Sequence, residues 1–184
     1  MSLLSKKFRE YKLSQEIVDI YRDRFDDESI TGIIADFNTE FIQINCLSEK
    51  GDNEGISVFY IEDITRVRAK GNIRDSIKTL VQHNSTQFKS YKINLKSIHT
   101  ILNSVQENFG YVSISTEEII SDSECFIGSI KDEDKDWILL DSFGTMSNRD
   151  IKQLILKKDD ITCIDAGGKY EDSINYLAKL NRKI

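Results

Sequence analysis

Proline is absent from the 184 residues of this chain, against an average usage of roughly 5%. Neither a cis-proline step nor a proline-stiffened linker is therefore available to it. Histidine is almost as scarce. His83 and His99 stand in no metal-ligand or nucleophile-base spacing, which argues against a zinc enzyme or a histidine-dependent hydrolase. Walker loops, dinucleotide fingerprints, nucleophile elbows, zincin motifs and EF-hand spacing are all missing. No apolar run approaches the roughly 18 residues that a membrane helix needs. Cysteines are few: Cys46, Cys125 and Cys163 are odd in number, far apart and set in apolar segments. Buried, reduced thiols are expected there rather than a disulfide framework. The opening residues place Lys6 and Lys7 after Leu3 and Leu4 with no extended apolar region. That is unlike a signal peptide, so a cytoplasmic location is expected.

What is present is an ordinary globular composition, 39% hydrophobic and 30% charged, with a net charge of -6. The acidic balance sets up a long-range field of the wrong sign for non-specific attraction to nucleic acid or anionic lipid. A membrane partner, a cofactor and a bound metal are all unexpected on this reading.

The chain also repeats itself. Asp63-Ile64-Thr65, Ala69, Gly71, Asp75-Ser76-Ile77 and Leu80 recur as Asp160-Ile161-Thr162, Ala166, Gly168, Asp172-Ser173-Ile174 and Leu177, at a constant offset of 97. Nine identities in eighteen positions is far above the roughly one expected from average composition. Upstream, Gly32, Ile34, Asp36 and Ile42 match Gly128, Ile130, Asp132 and Ile138 at an offset of 96. Two units of one type are expected, 1–84 and 94–184, joined by a polar linker at 85–93.

Periodicity fills in the elements. Leu3, Leu4, Phe8 and Tyr11 have helical spacing. Strands are expected at 16–22, with Val18 and Ile20 alternating with polar residues, and at 29–36, 41–47, 56–60 and 64–68. A helix follows with Asn72 as its cap and Ile73, Ile77, Leu80 and Val81 as its apolar stripe. The second half repeats this order: a helix at 95–108 capped by Asn94, strands at 111–115, 124–130, 137–143, 151–157 and 161–165, and a helix at 170–180 with Tyr170, Ile174, Leu177 and Ala178 on its apolar face. Helix, five short strands and helix within about 90 residues read as mainly β with flanking helices, each half a small closed or partly open five-stranded barrel, closure being what removes exposed strand edges.

The stretch from Gly32 through Ile34, Asp36 and Phe41 to Ile44 resembles the first motif of the Sm-like proteins (Sm, LSm and Hfq types), a glycine, an Asp in the connecting turn and then an alternating strand. Gly128 through Ile130, Asp132 and Trp137 to Leu140 has the same skeleton. The resemblance implies two tandem Sm-like or SH3-like barrels, with the glycine freeing a strongly bent strand from a Cβ clash. The second Sm motif is only echoed by Lys70-Gly71-Asn72 and gives way to Gly167-Gly168-Lys169. The resemblance therefore speaks for fold before RNA binding.

Two constellations are candidates for function. Arg66, Arg68 and Lys70 alternate along one strand face and, with Arg74, form a possible phosphate-contacting stripe; a solvated face is the plainer reading. Phe88 and Tyr91 of the linker are expected to pack on a barrel rather than to stack on a base. Asp132, Glu133, Asp134 and Asp136, and the earlier cluster Asp23, Asp26, Asp27 and Glu28, would hydrate loops, present a negative surface to a basic partner or hold a divalent cation. The favoured expectation is a non-enzymatic, bacterial-type interaction module with an acidic surface, binding another protein as immunity proteins and antitoxins do. The alternatives are an Sm-like RNA-binding regulator and a carboxylate-dependent enzyme. Packing of the two repeats on each other, or a homo-oligomer, is a further expectation.

Overall fold

The computed structural model describes residues 2–25, 27–116, 125–144 and 151–181, and the chain is mainly antiparallel β-sheet with flanking helices. Asp26 and Glu124 of the expected acidic turn and seventh strand lie outside the described residues. Two compact units emerge, Met1–Tyr91 and Lys92–Ile184.

In the first unit, α1 (Leu3–Ser14) starts where Ser2 Oγ accepts the N–H of Ser5 at 3.1 Å and stops at Gln15, which turns into the left-handed region at φ 52°. Then come β1 (Ile17–Tyr21), β2 (Ser29–Phe37), β3 (Phe41–Leu47), β4 (Asn53–Tyr60), a 3-10 turn at Ile61–Asp63, β5 (Arg66–Ala69) and α2 (Asn72–His83). The strands lie in the order β5-β1-β2-β3-β4. Since β4 and β5 stand at opposite ends of that order, the sheet is open, and the expected barrel closure is corrected. The reason is the 3-10 turn, after which the chain pairs with β1, Ala69 opposite Val18, instead of with β4.

Other local expectations change for identifiable reasons. All five residues of β1 are buried, Asp19 included, because Arg74 of α2 forms an ion pair with the Asp19 carboxylate and Thr31 Oγ1 donates to it at 3.0 Å. In α2, Ile77 is buried with Ile17, Ile33 and Leu47, and Val81 and Phe88 pack on the same cluster. Ile73 is 60% exposed and Arg74 takes its inward place. Asn72 is the first helical residue, while Gly71 at φ 104° holds the cap position without a side-chain bond. Beyond α2, Asn84 and Thr86 donate to the carbonyls of Lys50 and Gly51, and Gln43 donates to that of Tyr91, fixing this segment to the first unit.

The second unit comprises α3 (Ile98–Phe109), β6 (Val112–Thr116), β7 (Cys125–Glu133), β8 (Trp137–Ser142), β9 (Lys152–Lys157), a 3-10 turn at Lys158–Asp160, β10 (Ile161–Ala166) and α4 (Lys169–Asn181). Its order is β10-β6-β7-β8-β9. The cap of α3 is Ser97, in a capping box with Thr100, rather than Asn94, whose side chain accepts from Lys96 outside the helix. Ile174 and Ala178 bury the inner face of α4, whereas Tyr170 is 50% exposed. Among the thiols, Cys163 is buried, Cys46 half-buried and Cys125 exposed. Although the residue as a whole is exposed, the Cys125 sulfur turns onto Ser113 Oγ at 2.7 Å, and desolvation of the sulfur pushes the thiol up to about 11.

The registers of the two units correspond. Val18 faces Gly32 as Val112 faces Gly128. Both second strands carry a bulge, between Ile34 and Asp36 and between Ile130 and Asp132, which bends the hairpin and re-aims its tip. A Cβ on Gly32 would collide with the carbonyl oxygen of Asn45, and one on Gly128 with that of Asp141, so both bent hairpins need the glycine for close strand approach.

Candidate functional site

The four basic candidates do not form one free stripe. Arg66 is exposed, but its guanidinium forks onto Asp23 at 3.1 and 2.9 Å and lies 3.7 Å from the centre of the Tyr21 ring. That guanidinium, with a further hydrogen bond from Thr65, holds the Asp23 carboxyl below its usual range. Arg68 is exposed and also lies near the Tyr21 ring, at 5.4 Å. Lys70 is exposed in the left-handed region at φ 68°. Arg74 is withdrawn from the surface altogether, 6% exposed in its pair with Asp19.

The acidic candidates divide as well. Asp132 and Asp136 are exposed. Asp134 Oδ1 accepts the N–H groups of Asp136 at 2.8 Å and Trp137 at 2.7 Å, shaping the β7–β8 turn, and these bonds hold its carboxyl below the usual range. Glu133 turns inward: its side chain is 15% exposed and faces Lys158 Nζ at 2.6 Å and His99 Nδ1 at 2.8 Å, while Asn103 donates to it at 2.9 Å. Lys158 is 4% exposed and also donates to the Asp134 carbonyl at 2.5 Å. Burial pushes the Glu133 carboxyl up, yet the hydrogen bonds from Lys158, His99 and Asn103 outweigh it and hold the group below the usual range.

The same place in the first unit is apolar. There α1 meets the β2–β3 tip through Phe8 and Phe37, edge to face at 5.6 Å, with Leu4 and Ile61 beside them. At the offsets of 96 and 97, Phe37 and Ile61 stand where the second unit has Glu133 and Lys158, and counting back from the left-handed residues that end the helices, Gln15 and Gly110, Leu4 and Phe8 stand where α3 has His99 and Asn103. Laying the two halves over one another at the repeat offsets carries the signal for Glu133 and Lys158; the helices match only at an offset of 95, which no run of identities marks. Reading Glu133 with its acidic neighbours hides it.

Sequence reasoning also missed an exposed apolar patch. Trp137 is 45% and Ile155 69% exposed. Cross-strand register puts Asp132 opposite Leu139 and Leu139 opposite Ile155, with Trp137 opposite Lys157, so these residues share one sheet face. Among the described residues β9 pairs with β8 alone. No three His, Cys, Asp or Glu side chains among the described residues gather so as to hold a metal ion. In comparisons with known proteins, no family model, curated protein or solved structure matches this chain.

Proposed function

We propose that the protein is a non-enzymatic binding module, two tandem units of Sm-like or SH3-like type, that contacts a basic protein partner through the β8–β9 face of its second unit. The observation that carries this reading is Trp137 with Ile155, two large apolar side chains left open on one face beside an edge strand. Aromatic anchors of this kind dominate protein interfaces. The rim is acidic through Asp132, in register with Leu139 and Ile155, and through Asp136, which precedes Trp137. Such a rim steers a basic surface onto the apolar centre. The RNA-binding alternative has less support, since Arg74 is buried against Asp19 and Arg66 is neutralised by Asp23.

A photo-crosslinking residue at position 155 of the full chain, activated in the producing cells, tests the proposal. The expected result is one discrete adduct with a basic protein, lost with Trp137→Ala and weakened by Asp132→Lys. An adduct insensitive to both substitutions, or none above background, would sink it.

A further inference from the structure

An open cleft of about 890 Å³ lies in the first unit between α1 and the tip of the β2–β3 hairpin, within the roughly 300–1,000 Å³ range of small-ligand sites. Its floor is apolar, built from the half-buried Leu4, Phe37 and Ile61 over the fully buried Phe8, and Leu13 lines it with 80% of its surface in solvent. The polar groups at its rim largely satisfy one another. Ser2 and Ser5 share a hydrogen bond at 2.9 Å in the helix cap. Lys12 and Asp36 form an ion pair at 2.6 Å, cancelling one charge of each sign. Asn38 Oδ1 accepts the N–H groups of Glu40 and Phe41. Arg9 is left: it lines the cleft and has no ion-pair or hydrogen-bond partner among the described residues. An apolar trough with one uncompensated cation is complementary to an apolar ligand with one negative charge.

The second unit supplies a contrast within the same molecule. At the positions of Leu4, Phe8, Phe37 and Ile61 it has His99, Asn103, Glu133 and Lys158, joined to one another by ion pairs and hydrogen bonds. Desolvating such groups against an acyl chain is costly, so the corresponding place there disfavours the same ligand.

We infer that the α1 cleft of the first unit binds a free monocarboxylate with an unbranched acyl chain, the chain lying against Leu4, Phe37, Ile61 and Leu13 and the carboxylate on Arg9. The test is a titration of the full isotope-labelled chain with sodium dodecanoate, followed by amide shifts. Saturable shifts are expected at Phe8, Leu13, Phe37 and Ile61, with His99, Asn103, Glu133 and Lys158 unmoved. Arg9→Ala weakens the affinity about fourfold, as for an exposed ion pair, and Leu13→Glu, at an exposed position that leaves folding intact, abolishes the shifts. A dodecylammonium salt, with the same tail and the opposite charge, binds more weakly than dodecanoate. The inference is overturned if no cleft shifts appear up to about 1 mM ligand, if both units respond alike, if Leu13→Glu changes nothing, or if the cationic amphiphile binds equally well. Co-sedimentation with phosphatidylglycerol vesicles without a response to free dodecanoate overturns it in favour of a membrane-facing α1.

Discussion

Two opposite charges taken out of water together are safe only as a pair. Lys158 and Glu133 are such a pair, with the ammonium 4% and the carboxylate 15% exposed. Lys158→Met strands Glu133 beside His99 and Asn103 and is expected to cost about 3–5 kcal/mol, read as a fall in urea stability. Glu133→Phe combined with Lys158→Ile, the residues of the first unit's own tip, recovers most of that loss, because no charge is then left buried. The pair also sets an acid limit. A carboxyl held below its unfolded value stabilises the folded state above that value and loses this contribution as pH falls through the folded one. The Glu133 contribution is therefore complete above about pH 5 and disappears progressively beneath the ordinary glutamate value of about 4.3. Urea midpoints measured from neutrality to acid will show this component in the wild type and not in Glu133→Gln. Sequence placed Glu133 in a hydrated acidic patch with Asp132, Asp134 and Asp136; those three are exposed, and Glu133 alone turns inward. The rest was illegible because Asn103 and Lys158, which recruit Glu133 inward, lie far along the chain and come to it only through the helix and the 3-10 turn of the folded unit.

At the scale of elements, the bulged second hairpin strand is the feature on which both units turn. Gly32 and Gly128 lie where the facing strand's carbonyl oxygen leaves no room for a Cβ. Gly32→Ala and Gly128→Ala are each expected to destabilise the chain by about 1–3 kcal/mol, the usual range for overpacking. Thr39→Ala, at the exposed tip, stays within about 0.5 kcal/mol. Hydrogen exchange checks the location: faster exchange along β2 and β3 in the first variant and along β7 and β8 in the second. These hairpins were legible because glycine spacing, turn residues and alternation all pointed one way. Helix starts were less so. Asn72 and Asn94 are good caps by residue type, but Gly71 and Ser97 hold those positions. In α2 the inward face belongs to Ile77 and Arg74 rather than to Ile73, because the Asp19 carboxylate beneath it requires a cation, a demand that helical periodicity does not contain.

For the molecule as a whole, a net charge of -6 and two neutralised arginines give one expectation. A labelled mixed-sequence RNA should remain free at tens of micromolar protein even in low salt, when followed by anisotropy. Saturable binding that weakens steeply with salt would reveal phosphate contacts and reinstate the RNA reading. The strand count of each half was visible in its periodicity. The open order of each sheet was not, since whether a fifth strand returns to the fourth or stays with the first depends on the 3-10 turn at Ile61–Asp63 and its counterpart at Lys158–Asp160. The different tips of the two halves also respond differently to temperature. The contact of Phe8 with Phe37 rests on the hydrophobic effect, which fades on cooling. The contact of α3 with Glu133 and Lys158 rests on desolvated charges, whose hydration is less of a competitor on heating. Two halves with one wiring diagram are thus least secure at opposite ends of the temperature scale.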